Sequence, residues 1–541
     1  MNLNKALKIA IDHIEEFGLT DTILQKPKEL ENLKIPEFRA KIEEEVRNCI
    51  NEIKTCTSLD KDSINVECFS KLKMLRIHHT LLPKKILYDY RKCAIIEPID
   101  QIKYLTIVLM LAEEIEKHRI PVSENIVYSY RVSVNDKKLF DPNYHYGEFS
   151  KKYKEEILNP KNKVIVKCDI ANFYDRLNLH KLEAVLYNLP VEKKLVKVIN
   201  EILLFWAERN SYGLPVGNNA SRILAEASLI DVDKFLISHN VKFIRFVDDF
   251  ILFAEDAKTA HYWFSILIER LSKEGLMVNQ SKTEIFENNF DTKNNDKSKV
   301  KNESNKIDKF LENGSEVYVG GEYGGEVPLK FLAISEEKKK EIRNQNEINL
   351  LNTLKSQLII EPENFIDFCE TISVKNKFEL AIHLPILLEK FPQFIPYTID
   401  FLIVNADKIK KEDINKIKNN FENDWIKNFD KLPEYILEPL IRFFANTHFR
   451  NKKVLINLYR TLPANKGVYI HRVLLDNLYS IIDRNEAKEI QDSYSSRSNW
   501  EKRQIISILR KYCEAGELRA YFKVIKAEHN EAFIDGMVAI A

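Results

Sequence analysis

Two adjacent aspartates inside an apolar run constrain this chain more than any other feature. In FIRFVDDFILFAED (243–256), Asp248 and Asp249 are preceded by Phe246-Val247 and followed by Phe250-Ile251-Leu252-Phe253, strand-forming on both sides. The pattern predicts a hairpin with the two acids at its tip. Neighbouring carboxylates repel one another and lose hydration among such residues, so the pair persists if a cation neutralises it. A solvated turn, with Asp in turn-favoured positions, is the competing reading.

A second strand, VIVKCDI (164–170), runs out into Asp169, and LMVNQSKTEIF (276–286) is a third strand-like run. Three carboxylates held together can bind two Mg²⁺ about 3.5–4 Å apart, the clamp used for in-line phosphoryl or nucleotidyl transfer. Between these strands lie helical patterns, NASRILAEASLIDVDKFLI (219–237) and HYWFSILIERLSK (261–273). The expectation is an α+β region.

The rest of the 541 residues reads as helix. Residues 1–160 are expected to form an N-terminal helical and fingers region, with Ile99 to His118 its clearest helix. Residues 161–340 are the α+β region, carrying an Asn/Lys-rich exposed insertion at 291–314. Residues 341–541 form an α-helical repeat domain, with segments such as FELAIHLPILLEKF (378–391), ILEPLIRFFANTHF (436–449), RVLLDNLYSIID (472–483) and KRQIISILRKYC (502–513). Only 13 Gly and 17 Pro argue against an all-β chain with many tight turns.

Charge and cysteine usage narrow the class further. Lys+Arg 82 against Asp+Glu 81 leaves a formal charge of +1, so any basic surface must be local. The seven Cys are scattered and never form CxxC, which speaks against a structural zinc site and a disulfide framework and fits a reducing cytoplasm. The opening MNLNKALKIAIDHIEEFGL is an amphipathic helix carrying acids, not a signal peptide, and no window reaches the ~18 apolar residues of a membrane span. No membrane partner is expected.

Order and spacing then point to a family. Asp169 with Phe173 and Tyr174 (DIANFY, 169–174), GLPVG with Asn219, Ala220 and Ser221, FVDD (246–249), and EGLMVNQSKTEIF (274–286) with Lys282-Thr283 resemble, in order, four palm motifs of the reverse transcriptases. LKFLAIS (329–335) is a weaker match to the primer-grip strand, and RKCAIIEPID (91–100) and NIVYSYR (125–131) resemble finger-side segments. The resemblance implies a right-hand polymerase, fingers and palm, followed by an all-α helical-repeat domain.

It also implies roles. Asp169, Asp248, Asp249 and the carbonyl of Ile170 would hold two Mg²⁺, or Mn²⁺. Lys282 would donate a proton to the leaving pyrophosphate or neutralise it. Tyr174, beside Phe173, would sit beneath the sugar of the incoming dNTP and exclude a 2′-hydroxyl. Ile170, Phe173 and Val216 would also contact the nucleotide, and Gly213 and Pro215 would shape a turn against it. Val216 stands where the family usually has Gln, which puts ordinary fidelity and template dependence in doubt. Arg91 and Lys92, with Lys84 and Lys85, are candidates for the triphosphate.

With a helical domain in place of the usual thumb, the chain resembles the bacterial defence-associated, abortive-infection reverse transcriptases. That likeness implies phage defence, a cytoplasmic homo-oligomer, and DNA synthesis that is untemplated or directed by an RNA template or companion noncoding RNA. Some members prime from a protein hydroxyl. The alternative is a catalytically silent RNA-binding scaffold whose helical domain carries a toxic activity. Arg442 and His448 in RFFANTH resemble the Arg-x(4–6)-His signature of HEPN ribonucleases, although a cap or surface role for His448 is the simpler reading.

Overall fold

The computed structural model describes residues 1–19, 26–56, 66–83, 90–135, 137–288, 331, 334–358, 362–463, 467–528 and 531–540. The insertion expected at 291–314, most of the primer-grip strand, and Lys84 and Lys85 lie outside these residues. The chain divides into two compact units that interleave along the sequence: residues 1–20, 43–77 and 96–319, and residues 21–42, 78–95 and 320–541. This differs from a sequential three-part division, because residues 21–42 and 78–95 group with the C-terminal helices.

The first unit is built on a four-stranded sheet: β1 (Val164–Asp169), β2 (Phe243–Phe246), β3 (Asp249–Ala254) and β4 (Glu284–Glu287), in the order β2-β3-β1-β4, all antiparallel. Strands β1, β2 and β3 are buried nearly throughout, as their continuous Val/Ile/Phe runs require when helices cover the sheet. The edge strand β4 is largely exposed and carries Glu at both ends, which discourages pairing with another chain.

Helix Pro98–His118 forms where the periodicity predicts it; Pro at its first position needs no amide partner. It packs against helix Asn219–Ser228, and helix Ala257–Lys273 covers β1 and β3. The run 219–237 is two helices, not one, parting at Leu229, where φ −96 and ψ 0 leave the helical basin. The last run, 276–286, is only partly strand. Val278 bridges Ile170, a 3₁₀ turn covers Gln280–Lys282, and β4 follows.

Cys56 and Cys68 form a disulfide, the one point at which the scattered-cysteine expectation fails. Spacing could not reveal it: Cys56 follows the end of helix Pro36–Thr55, and Cys68 lies in Val66–Ser70. Residues 1–160 also hold strand pairs where helix was expected. One, Val132–Asn135 with Lys138–Phe140, belongs to the first unit.

The other pair, His78–Pro83 with Tyr90–Ile95, belongs to the second unit, where it packs on helix Glu434–Ala445. His78 Nε2 lies 3.0 Å from Glu434 Oε2, and the His78 ring stacks 5.5 Å from Tyr469. Helices Glu434–Ala445, Gly467–Leu478, Asn499–Tyr512 and Ala532–Ala539 each pack on the next, with the intervening helices laid against them. Alternating layers of this kind are how helical repeats bury one continuous core. Among the described residues no helix is long and apolar enough to cross a membrane.

Candidate active site

The register of the sheet assembles the acids. Asp169, last in β1, stands directly opposite Asp249, first in β3. The turn Val247-Asp248 joins β2 to β3, and Ile170 N–H donates to the Asp248 carbonyl at 3.1 Å. An extended residue presents N–H and C=O to the same side, so the Ile170 carbonyl faces the aspartate turn as well.

Burial together with the neighbouring carboxylates Asp169 and Asp249 pushes Asp248 well above the usual carboxylate range. Burial and Asp169 push Asp249 up to about 7, against the pull of Lys282 and Lys167. The cluster thus holds more negative charge than its own lysines neutralise. Among the described residues no three acidic, histidine or cysteine side chains stand in finished metal-ligating geometry. The donor set, three carboxylates and a carbonyl short of positive charge, nevertheless has the chemistry of a divalent-cation site.

Lys282 reaches this cluster. Its Nζ is 3.1 Å from Asp169 Oδ2, and its side chain is still 58% exposed, free to meet a second anion. Burial disfavours its charge, but Asp169, Asp249 and Asp248 outweigh that and raise its pKa. Asn279 is a residue that the motifs did not single out. Its backbone N–H donates to the Asp169 carbonyl at 2.7 Å and its Nδ2 to Asp169 Oδ2 at 3.2 Å. The available signal was Asn three residues before Lys282, at the start of a turn it caps.

The first two motifs meet through their backbones. Leu214 N–H donates to the Tyr174 carbonyl at 2.9 Å and Gly213 N–H to the Leu177 carbonyl at 3.0 Å. Gly213 has φ +99, which a side chain would resist. The Tyr174 ring is half-buried, but two expected nucleotide contacts need correction. The Phe173 ring is 2% exposed and Val216 is 4% exposed, so both side chains belong to the core. Pro215 is buried too and acts through its carbonyl, which accepts Asn218 Nδ2 at 2.9 Å. Arg91 and Lys92 lie on the second unit's hairpin, opposite Leu82 and Leu81.

Arg442 and His448 have separate partners: Arg442 Nε is 3.0 Å from Glu438 Oε1, and His448 Nε2 is 3.4 Å from Asp407 Oδ1. One of the residues with positive φ adjoins the acids. Val247, β-branched, sits at φ +52, at a cost of about 1–3 kcal/mol.

Residues 112–334 match the family described as reverse transcriptase (RNA-dependent DNA polymerase). That stretch, less than half of the chain, is similar to a reverse transcriptase domain. All four palm motifs, from Asp169 to Lys282, fall inside it. The fold is α+β, with an all-α region after the matched stretch. Enzymes with this domain generally use divalent metal ions.

No curated protein matches the chain. Among solved structures, apo telomerase from Candida Tropicalis truncated from its C-terminal domain shares 16% identity over 41% of this chain and 52% of its own, with a TM-score of 0.29. Telomerase from Candida albicans with a TWJ fragment of telomeric RNA shares 13% identity over 76% of this chain and 67% of its own, with a TM-score of 0.30. Apo telomerase from Candida Tropicalis shares 13% identity over 73% of each chain, with a TM-score of 0.29. The chain spans about half, 52%, of the length of the first of these.

Proposed function

We propose that this protein is an RNA-directed DNA polymerase that adds deoxynucleotides at the Asp169, Asp248 and Asp249 cluster. The observation that carries the reading is the sheet register that sets Asp169 opposite Asp249, with Asp248 in the adjoining turn, inside the stretch similar to a reverse transcriptase domain. Asp169, Asp248, Asp249 and the Ile170 carbonyl would hold two Mg²⁺, or Mn²⁺. Bound there, the ions supply positive charge to the phosphate undergoing transfer.

The chain's own groups do the rest. Asn279 and Lys282 fix the Asp169 carboxylate. Lys282, cationic and exposed, serves the departing pyrophosphate. Tyr174, its backbone pinned to the Gly213-Leu214 turn, selects against a ribose 2′-hydroxyl. Arg91 and Lys92 are assigned to the triphosphate by residue type and motif resemblance alone. An RNA, as template or companion, and the DNA product are the macromolecular partners.

The biological setting is proposed on the resemblance alone: antiphage defence by abortive infection, in the cytoplasm, as a homo-oligomer, with synthesis untemplated, protein-primed or directed by a noncoding RNA. The test uses purified full chain with Mg²⁺ or Mn²⁺ and each labelled dNTP, with and without RNA template, beside Asp248→Ala/Asp249→Ala. Products are run before and after protease and RNase. Label incorporated only by the unaltered chain supports the polymerase, and a protease-dependent mobility shift adds protein priming. Silence in every lane, with co-purified RNA restored, refutes it in favour of a binding scaffold. Phage plating on cells carrying either form tests the defence role.

A further inference from the structure

We propose that Ser129, backed by Glu226 and Arg245, is a positioning residue: it holds the peptide of Val247 in its strained conformation and thereby fixes Asp248 and Asp249. The activity arm of its test rests on the polymerase reading; the cation-binding arm does not.

A β-branched residue stays at positive φ only where its surroundings over-determine it. Both polar groups of Val247 are taken. Its N–H donates to Ser129 Oγ at 2.9 Å, and its carbonyl accepts Arg245 Nη1 at 2.8 Å. Ser129 is carried to this place by the segment 126–130, which pairs with β2. Arg245 N–H donates to the Ile126 carbonyl at 2.8 Å and Tyr128 N–H to the Arg245 carbonyl at 2.9 Å.

The direction of each bond is fixed by what lies behind it. A hydroxyl has one proton, and that of Ser129 goes to Glu226 Oε1 at 2.5 Å, so its lone pairs face the Val247 amide. Glu226 Oε2 accepts Arg119 Nη2 at 2.7 Å and Arg245 Nη2 at 3.0 Å. Arg245 also grips Asp233, through Nε at 2.9 Å and Nη2 at 2.6 Å. Arg119 donates to the Ser129 and Tyr130 carbonyls at 2.7 and 2.9 Å.

Arg119 and Arg245 thus share Glu226, with Glu116 and Asp233 as their further carboxylates, and none of Arg119, Ser129, Glu226, Asp233 and Arg245 is more than 4% exposed. Apolar side chains of the same volume would fill this space without the desolvation penalty. What the polar cluster adds is direction, and it holds both polar groups of Val247 beside the acids. Relaxing Val247 to negative φ would swing the chain that follows it, where the Asp248 carbonyl meets Ile170 N–H and Asp249 pairs with Asp169.

The experiment compares the full-length protein with Ser129→Ala and with Ser129→Ala/Val247→Gly. Glycine takes positive φ without support, so a loss transmitted through Val247 is recovered in the double variant, whereas a general loosening of the core is not. Mn²⁺ binding, read by the electron paramagnetic resonance of free Mn²⁺, is expected to weaken about 10-fold in Ser129→Ala, within the range seen for outer-shell partners of metal ligands. Most of that loss should return in the double variant, with dNTP addition following the same order.

Unchanged Mn²⁺ affinity in a folded Ser129→Ala overturns the proposal, as does a double variant no better than the single. Should Ser129→Ala fail to fold, hydrogen exchange at the Val247 amide of the unaltered chain decides. Protection comparable to β3 supports the bond's role, and exchange at the rate of an open turn overturns it. An unaltered chain that binds Mn²⁺ yet adds no nucleotide sinks the polymerase reading, while the pattern among the variants still judges this one. An unaltered chain that binds no Mn²⁺ overturns both.

Discussion

Asn279→Ala isolates one hydrogen bond to the Asp169 carboxylate. The backbone bond from Asn279 N–H to the Asp169 carbonyl, 2.7 Å, survives the substitution, so the strand end should stay in place. What is lost is the Nδ2 donor at 3.2 Å. Hydrogen bonds to charged groups contribute about 1.5–3 kcal/mol. This one lies at the long limit of the N–H···O range, and Lys282 Nζ remains 3.1 Å from the same oxygen, so the low end applies. A loss of about 1.5 kcal/mol is about 10-fold in rate.

The assay is single-nucleotide addition under pre-steady-state conditions, with circular dichroism confirming the fold. Asn279→Asp should fall below Asn279→Ala, because it sets a further carboxylate beside Asp169 in a cluster already short of positive charge. Asn279→Ala within about 2-fold of the unaltered chain would refute the reasoning, as would Asn279→Asp outperforming it.

Three further outcomes concern stability and pH. Glu226→Ala leaves two buried guanidiniums without their shared carboxylate and should cost about 3–5 kcal/mol, read as a lowered urea midpoint for the first unit. Gly536→Ala sets two effects against each other. Alanine gains about 1 kcal/mol of helix propensity, but its Cβ would lie 2.7 Å from the Phe38 ring, which is 1% exposed and edge-on to Phe533, so net destabilisation of about 1–2 kcal/mol should show as a lower Tm of the second unit. His13, pushed down to about 4 by burial, donates from Nδ1 to the Lys137 carbonyl and accepts Asn219 Nδ2 at Nε2. Its folded pKa lies below the unfolded one, so its contribution is present above about pH 6.5 and is lost as pH falls toward 4, by about 3 kcal/mol in all. His13→Gln should flatten that slope in denaturation measured across this window.

Periodicity made the helices legible. Ala257–Lys273 reads directly from its apolar spacing, because it buries one face and the spacing records which; Pro98–His118, buried on every side over its first three turns, reads from its length and apolar content. Continuous apolar runs gave β1, β2 and β3 for the same reason. Reading failed where the decision was not local. The break at Leu229 and the short strands His78–Pro83 and Tyr90–Ile95 depend on partners far along the chain. Local composition is silent about such partners.

The acids divide along the same line. That Asp169, Asp248 and Asp249 are candidates for chemistry follows from their order and apolar surroundings in the sequence alone, and Lys282 joins them by motif resemblance. That Asp169 faces Asp249, that Lys282 and Asn279 reach the same oxygen, and that Phe173 and Val216 turn into the core was decided by strand register and by the path of the chain. Register shifts of one residue reverse which face every side chain occupies. Ser129 donates to Glu226, 97 residues along the chain, and accepts from Val247 beside the acids. No spacing rule spans that distance; only the packed fold closes it.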